Sequence, residues 1–569
     1  MTAAWLQRWR AYAGEFLHED LLAAFVVSVL LIPQSLAYAM LAGLPAQTGM
    51  YASLLPLLLY ALLGSSPYLG IGPVAVLALM IAQTLGQAPA GVSPGEAALV
   101  LAAEVGLILA AAAALRLDAL AALLSVPVLH GFETGATLSI AAAQLPVLLG
   151  SPASGFDLPS LLGSAMASGG QWHRWSAAFG VGAVCVLVFG RQGLAALLGR
   201  WMGEVRAALL LRLLPLVLLL LAMSASRGLD AVSAGVAVVG ELPPLHLGLS
   251  LPRLDAALWQ AMLPGALLLA LMAYVTSLVV SESLARRRAE RVDARRELLG
   301  LAGANLAAAL SLGMPVAASF SRSVLLYDAG SRTRMSGVFI AFAMGLAMWL
   351  LAPLLAWLPK AVLAATILVA VLSGLKFAPF AQAWRYARAE AVLMGLVTLL
   401  VLFWSVSAAL GLGVLGAIAL LLQRTARPHV ALIGRVPGTE HYRNMDRYQV
   451  ECLPGVMGLR IDESLLFTNA RSLTDVVQAL LEQQPDTRRV VLQMAPVNAV
   501  DFSGLEALRD LHEALRRQDI RLDLSEVKGP VLDRLKASAW QHWFRGQLFL
   551  SHHQGMLDGS RVASDWVSP

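Results

Sequence analysis

Apolar residues fill the first three quarters of the chain in long runs that short polar connections separate. Runs of about 20 apolar residues predict helices that cross a membrane. Fourteen runs can be assigned, and several of them are too short to span a bilayer alone. The predicted fold is therefore a polytopic α-helical membrane protein with 14 transmembrane helices. The runs are 21–42, 46–63, 72–86, 96–115, 119–142, 174–190, 205–223, 257–284, 298–311, 319–329, 335–354, 357–374, 389–405 and 408–423.

Lys and Arg residues predict the orientation of these helices, because cytoplasmic connections of membrane proteins are enriched in both. If the N-terminus lies in the cytoplasm, every even-numbered helix ends there. The larger basic clusters then all fall on the cytoplasmic side, which supports an even number of helices. These clusters are 191–206, 286–296, 332–334, 376–388 and 424–427.

The same pattern predicts three regions. Residues 1–20 mix Trp and Arg, and we expect a cytoplasmic amphipathic helix on the membrane surface. Residues 21–427 form the transmembrane domain, with external polar loops at 151–171 and 225–256. Residues 428–569 have the charge density of a soluble α/β domain, which we place in the cytoplasm because it follows a helix that ends there.

The C-terminal region alternates short strands with amphipathic helices, which predicts a small sheet with covering helices. The predicted strands are 456–459, 489–494 and 521–524, and the predicted helices are 472–483, 503–517 and 529–538.

Composition agrees with a membrane protein, since 58% of the residues are hydrophobic, 14% are charged and the mean hydropathy is +0.70. The net charge of +5 does not indicate nucleic-acid binding, because the basic residues cluster at helix ends. No metal-ligand spacing, P-loop or nucleophile motif is present, and His552 and His553 lie in a polar tail without a partner set. We therefore expect no enzyme, no cofactor and no metal, and an ion gradient as the energy source. Cys185 and Cys452 do not predict a disulfide framework.

Residues 312–325 carry polar groups inside membrane-grade apolar sequence. Pro315 argues against one continuous helix, so we expect an extended piece to about Ala317 and then a helix with Ser319 as its N-cap. Arg322 is costly within a membrane, and such a residue marks a site or pathway by default. A helix that begins inside the membrane points unpaired N–H groups and its positive end at whatever lies in front of it. The segment therefore predicts an anion site.

An earlier segment repeats this pattern. Gly72, Pro73, Val74 and Ala75 match the Gly, Pro, Val, Ala order of residues 313–317 and again open an apolar helix. Paired interrupted segments in the two halves of a membrane chain point to a transporter's binding site. Two helix N-termini that meet near the membrane midplane would hold an anion better than either alone.

Six motifs in order resemble the sulfate permease (SulP) family of anion transporters and exchangers. The resemblance covers nearly the whole chain and rests on residues 32–51, 72–76, 125–145, 296–300, 303–305 and 320–323. It implies two inverted repeats of seven helices, a core domain of helices 1–4 and 8–11, a gate domain of helices 5–7 and 12–14, and a homodimer in the inner membrane. It places the substrate beside Gln34, Tyr38, Val74, Ala75, Ser319, Phe320, Ser321 and Arg322.

The tail resembles the STAS domain that members of this family carry. Residues 460–470 match its first strand and turn, and residues 497–504 match the loop that holds a phosphorylated serine in anti-sigma-factor antagonists. Ser503 occupies the position of that serine and is a candidate regulatory site, since a phosphate at a helix start is favoured. The alternative is a role in folding, trafficking, dimer contact or partner binding.

Coupling is where the sequence departs from its relatives. Many family members carry an acidic residue in the eighth helix, and Thr276 stands at that position here. The nearest acid, Glu282, is predicted to pair with Arg286 at the membrane end. Glu133 in the fifth helix is a candidate for a displaced proton carrier, because a carboxyl group in apolar surroundings can hold a proton near neutral pH. The alternative for Glu133 is a buried acid bonded to His130 or a serine.

The sequence thus indicates a secondary transporter of a small anion. Sulfate is the first choice, and bicarbonate and C4-dicarboxylates are alternatives within the same family. Proton symport, sodium symport and exchange all stay open. A nucleobase permease is disfavoured by Arg322 and by the STAS tail, and an anion sensor or scaffold that signals through the STAS domain is the alternative class.

Overall fold

The computed structural model describes residues 12–117, 124–155, 157–190, 200, 203, 211, 213–241, 248–426 and 429–557. Residues 1–11 of the predicted surface helix, most of the basic cluster 191–206 and the end of the tail lie outside these ranges. The chain divides into two units, Met1–Ala417 and Ile418–Pro569.

The first unit is almost entirely helical. Its elements are α1 (Leu17–Leu41), α2 (Ala46–Tyr51), α3 (Leu55–Leu63), β1 (Ile71–Gly72), α4 (Ala75–Leu85), α5 (Pro94–Ala114), α6 (Val126–Leu149), α7 (Leu158–Ala167), α8 (Arg174–Cys185, then a π-helical turn Val186–Gly190), α9 (Leu214–Gly228), α10 (Ala256–Arg287), α11 (Ala294–Leu310), β2 (Ala317–Ala318), α12 (Phe320–Asp328), α13 (Met335–Leu355), α14 (Lys360–Ser373), α15 (Ala378–Tyr386), α16 (Arg388–Phe403) and α17 (Val406–Thr425).

Each predicted apolar run corresponds to one or two of these helices. Within the described part of the chain, eight helical stretches are long and apolar enough to cross a membrane. The remaining runs correspond to shorter helices, among them α4 and α12, which both begin at the broken segments.

Two boundaries differ from the prediction. The loop 151–171 contains a helix, α7, because Asp157 caps its first turn through the Ser160 N–H and Ser160 bonds back. Helix α6 begins at Val126, with Pro127 in its first turn, and residues 119–123 of the predicted run lie outside the described ranges. Helix α1 begins at Leu17 rather than 21.

Asp20 explains the early start of α1. Its carboxylate is fully buried and accepts hydrogen bonds from the backbone N–H groups of Arg332 and Thr333 at 2.8 and 3.1 Å. The Tyr12 hydroxyl donates to the same carboxylate at 2.9 Å. These bonds tie residues 12–20 to the segment that follows α12, so this stretch is anchored to the protein.

The helices of the first unit pack in two groups. One group contains α1, α3, α4, α5, α10, α11, α12 and α13, and the other contains α6, α8, α14, α15 and α16. Glycines allow the closest contacts in the second group, where a Cβ at Gly131 would lie 2.4 Å from the Met394 carbonyl oxygen. The grouping agrees with the predicted core and gate domains.

The second unit alternates strands with helices. Its elements are β3 (Val430–Arg435), β4 (Tyr442–Asn444), β5 (Val456–Ile461), α18 (Ala470–Gln483), β6 (Arg489–Gln493), α19 (Phe502–Arg516), β7 (Arg521–Ser525), α20 (Gly529–Ala537), a 3-10 turn (Trp540–His542), β8 (Leu548–Phe549) and α21 (His552–Leu557). The strands form one six-stranded sheet with the order β4-β3-β5-β6-β7-β8. Strands β5 to β8 are parallel, and β3 is antiparallel to both of its neighbours. Apolar side chains of the sheet and of its helices form a common core, which includes Leu459, Leu492 and Leu511.

His552 corrects the expectation of a polar tail without partners. Its imidazole is 2% exposed, lies 2.8 Å from the Ser525 hydroxyl through Nδ1 and contacts the Tyr442 ring edge to face. Burial lowers the pKa of His552 to about 4, so the neutral ring is held in the core at physiological pH. This histidine closes the end of the domain and is structural.

Candidate functional site

The two broken segments meet in the first unit. Strands β1 and β2 pair antiparallel, with Ile71 opposite Ala318 and Gly72 opposite Ala317. Helix α4 begins three residues after β1, and α12 begins two residues after β2. The short ladder therefore brings the two helix N-termini side by side, as the repeated Gly and Pro pattern predicted.

Glycines permit this close approach. A Cβ at Gly70 would lie 2.7 Å from the Cβ of Arg322, which is closer than real side chains come. Gly72 has φ of +148°, a conformation that L side chains rarely adopt. The two segments could not pair in this way with larger residues at these positions.

Arg322 joins the two segments. Its side chain is 1% exposed, and Nη1 donates to the Pro73 carbonyl oxygen at 2.7 Å while Nε donates to the Gly70 carbonyl oxygen at 3.4 Å. The third nitrogen, Nη2, is buried and has no hydrogen-bond partner among the described residues. Two of the three guanidinium nitrogens of Arg322 therefore bind the backbone, and one is left for the predicted anion.

Ser323 and Ser319 add further bonds across this joint. The Ser323 hydroxyl accepts from the Gly70 N–H at 3.0 Å and donates to the Ser319 carbonyl oxygen at 2.7 Å. The Ser319 N–H donates to the Gly70 carbonyl oxygen at 3.1 Å. The hydrogen bonds that Ser319, Arg322 and Ser323 form with the first segment therefore all involve residues 70–73.

Two residues that the sequence did not single out hold β2 from behind. The Asn305 side chain of α11 binds both backbone groups of Val316, accepting from N–H at 2.9 Å and donating to the carbonyl oxygen at 3.1 Å. The Ser277 hydroxyl of α10 accepts from the Ala318 N–H at 3.0 Å. Polar residues in otherwise apolar helices are the signal that could have identified both.

Helix α1 forms the wall opposite the guanidinium. Leu31 of α1 and Arg322 Nη2 both lie next to Gly72, because a Cβ added to this glycine would be 3.7 Å from Leu31 Cδ1 and 3.5 Å from Nη2. Gln34 lies one turn from Leu31 on the same face of α1, and its Oε1 is buried without a partner among the described residues. Tyr38, one further turn along, is 7% exposed.

The remaining predicted site residues line the open side of the joint. Val74 is half-buried and Ala75 is 7% exposed, while Phe320 is 52% exposed and Ser321 is exposed. Ser319 stands at the N-cap position, but its hydroxyl lies 3.2 Å from the Ser321 hydroxyl and caps no backbone N–H. The first turn of α12 is therefore without a side-chain cap.

The three coupling candidates lie in different surroundings. Thr276 donates to the Met272 carbonyl oxygen of its own helix at 2.7 Å. Glu282 pairs with Arg286 at 2.9 Å, as the sequence suggested. Glu133 is about half exposed and lies 3.7 Å from His130 Nδ1, so it is not buried within the protein as we expected.

Ser503 is exposed at the second position of α19. Asp501 already caps this helix, because its carboxylate accepts from the Gly504 N–H at 2.8 Å and from the Phe467 N–H at 2.7 Å. A phosphate on Ser503 would therefore lie beside an existing negative charge, which weakens the argument from the helix start.

A bundle with two interrupted segments that pair at their helix N-termini, followed by an α/β domain, defines a secondary transporter architecture. The family model described as the sulfate permease family matches residues 17–397, and that of the STAS domain matches residues 447–555. The chain therefore belongs to the sulfate permease family and carries a C-terminal STAS domain. It is a multi-pass membrane transporter and not an enzyme.

Relatives across different organisms extend over both domains. A protein described as a probable sulfate transporter of Mycobacterium tuberculosis is 32% identical over 549 residues, which cover 95% of each chain. The chloroplastic sulfate transporter 4.1 of Arabidopsis thaliana is 29% identical over 546 residues, covering 93% of this chain and 77% of the relative.

Solved structures share the fold. Murine Slc26a9, described as an anion transporter in the inward-facing state, has a TM-score of 0.83 at 22% identity and covers 95% of this chain and 91% of its own. The transmembrane domain of the cyanobacterial bicarbonate transporter BicA has a TM-score of 0.57 at 20% identity. This match covers 71% of this chain and 97% of the BicA domain.

Proposed function

We propose that this protein is a secondary active transporter of small anions, with sulfate as its principal substrate. The supporting observation is Arg322 Nη2, a buried cationic donor without a hydrogen-bond partner at the joint between two helix N-termini. A donor inside a membrane domain that forms no hydrogen bond costs roughly several kcal/mol, unless a ligand accepts its hydrogen bond. An oxyanion supplies the acceptors that this nitrogen and the uncapped first turns of α4 and α12 lack.

The predicted substrate residues divide this task. Arg322 and the first turns of both helices supply positive potential, while Gln34 adds an amide and Ser319 and Ser321 add hydroxyl groups. Tyr38, Phe320, Val74 and Ala75 form the apolar walls that restrict water. Because the backbone carbonyls of Gly70 and Pro73 hold Arg322, its donor is pre-positioned and keeps one orientation.

We further propose that transport follows alternating movement of the core helices against the gate helices. The transmembrane domain spans about residues 21–427 in the inner membrane of a homodimer, with the N-terminus and the STAS domain, 428–569, in the cytoplasm. The names of the relatives from Mycobacterium and Arabidopsis favour sulfate, whereas the structural likeness to BicA supports bicarbonate as an alternative. A C4-dicarboxylate would use the same donors.

Competition in proteoliposomes tests this proposal. We expect saturable uptake of labelled sulfate that unlabelled sulfate suppresses. Bicarbonate, fumarate and chloride are then compared by the concentration at which each suppresses this uptake. Uptake that fumarate or bicarbonate suppresses at lower concentration than sulfate would reassign the substrate. Saturable binding without flux would instead favour an anion sensor or scaffold that signals through the STAS domain.

Glu133 is our candidate for proton coupling, in place of the acid that Thr276 replaces in α10. It is a titratable residue beside a second one, His130, on a helix of the predicted gate. A Glu133→Gln variant is expected to retain uptake and lose its dependence on external pH, measured as uptake rate between pH 5 and 8. An unchanged pH profile would exclude Glu133, and the same measurement on Glu282→Gln tests the other acidic coupling candidate, whose pair with Arg286 is exposed.

Sodium symport and anion exchange are the alternatives to proton coupling. Dependence of uptake on external sodium would identify the first, and acceleration by anions loaded inside the vesicle would identify the second. Phosphorylation of Ser503 stays a proposal for regulation, supported by its exposure at the start of α19.

A further inference from the structure

A lysine outside the predicted site contacts it. Lys376 lies in the connection between α14 and α15, and its Nζ is 6.0 Å from the centre of the Phe320 ring. Phe320 is the first residue of α12 and is 52% exposed. Lys376 is itself exposed.

The two residues belong to different groups of helices. Helix α12 packs with α1 and α10, whereas α14 packs mainly with α6 and α8 and also contacts α1. Lys376 therefore brings a charge from the second group to the residue at which the predicted anion site begins. Arg385 offers a comparison, since it is also an exposed cation, lies on the adjoining helix α15, and has no ring contact with Phe320 among the contacts of the described residues.

The charge of Lys376 is available to an anion. Among the described residues, no acidic side chain forms an ion pair with it. The ring contact is at the outer limit of a cation–π interaction and contributes little stability. At physiological ionic strength electrostatic effects extend about 8 Å, which is farther than the separation of the ammonium group from the Phe320 ring.

We propose that Lys376 is a specificity-determining residue that attracts anions to the Phe320 side of the site and favours divalent over monovalent ions. This inference rests on the proposed function. The ammonium acts through its field and need not touch the bound ion. Because the interaction energy is proportional to the charge of the ion, the change in affinity for a divalent anion is the square of the change for a monovalent one.

For an ion about 8 Å from the Lys376 ammonium group, in a water-like dielectric and at low ionic strength, Coulomb's law gives the expected magnitudes. Removing it is expected to raise the apparent KM for sulfate roughly fivefold and to weaken competition by chloride or bicarbonate roughly twofold. The turnover number is expected to stay unchanged, because the field acts on the approach of the ion and not on movement of the helices.

The experiment compares wild type with Lys376→Gln, Lys376→Arg and Arg385→Gln in proteoliposomes. Uptake of labelled sulfate gives KM and kcat, and inhibition by chloride and bicarbonate gives the monovalent comparison. We expect the Gln variant to show the larger KM for sulfate, the Arg variant to restore it, and Arg385→Gln to match wild type. The difference is expected to shrink in high concentrations of a non-transported salt.

The following results would overturn this assignment. An unchanged KM in Lys376→Gln, or an equal change in Arg385→Gln, would show that the position of this charge is unimportant. A fall in kcat at constant KM would indicate a structural contact between the helix groups instead. If wild type binds sulfate without flux, the proposed transport fails, and the dissociation constants of labelled sulfate for the same variants then decide the inference. A wild type that neither binds nor transports any of these anions overturns both.

Discussion

An Arg322→Ala variant is expected to lose saturable anion uptake by more than about 30-fold. Removing one partner of a buried charged interaction costs about 2–5 kcal/mol, and this side chain has two roles. It supplies the unpartnered Nη2 donor, and it binds the carbonyl oxygens of Gly70 and Pro73. Uptake and equilibrium binding of labelled sulfate in proteoliposomes measure the loss.

Lysine at this position separates the two roles. An Arg322→Lys variant keeps the charge but loses the planar fork that reaches two carbonyl groups and still presents a third nitrogen. We expect intermediate uptake with a raised KM. Arg286→Ala is the matched control, because that arginine forms an exposed ion pair with Glu282. Wild-type KM in Arg322→Ala, with unchanged thermal stability, would contradict the proposed site.

Local sequence signals predicted the broken segment around Arg322 closely. Pro315 excludes a continuous helix, and the structure has an extended Ala317–Ala318 followed by a helix with Ser319 at its N-cap position. These features depend on residues that are close in the sequence, so local sequence signals are sufficient to predict them. The same holds for the ion pair of Glu282 with Arg286, which lie four positions apart on one helix.

Long-range contacts were beyond such signals. Nothing local to Arg322 indicates that Gly70 and Pro73 accept two of its hydrogen bonds, since these residues are about 250 positions away along the chain. The direction of the guanidinium depends on how β1 pairs with β2. The sequence could predict that the two segments converge, but not which nitrogen stays free.

Contacts between helix groups were missed for a related reason. The sequence identifies Lys376 only as a member of the basic cluster 376–388, because its charge is typical of a cytoplasmic connection and the neighbouring residues contain no site motif. Its contact with Phe320 exists only once α12 and α14 are placed.

Two strands of the second unit were also missed. Strand β3, Val430–Arg435, lacks a clear alternation of apolar and polar residues, and β4, Tyr442–Asn444, has only three residues.

An Asn305→Leu variant is expected to be strongly impaired, because Asn305 binds both backbone groups of Val316, the residue that precedes β2. Leucine has a similar size but bonds to neither backbone group of Val316, which Asn305 binds through both ends of its amide. Each buried group left unsatisfied costs about 1–3 kcal/mol. We expect a lower thermal melting temperature of the detergent-solubilised protein and a loss of sulfate uptake of roughly tenfold for each 1.4 kcal/mol lost by the site.

Two further variants test whether the loss of stability and uptake in Asn305→Leu arises because β2 is no longer held in position. Ser311→Ala removes only a local bond from the Ser311 hydroxyl to the Ala307 carbonyl oxygen, so it is expected to transport like wild type. Asn305→Asp retains an acceptor for the Val316 N–H and loses the donor to its carbonyl oxygen, so an intermediate melting temperature is expected. If Asn305→Leu lowers stability but leaves the KM for sulfate unchanged, then β2 does not position the anion, and the first turn of α12 with Arg322 holds its geometry without this support.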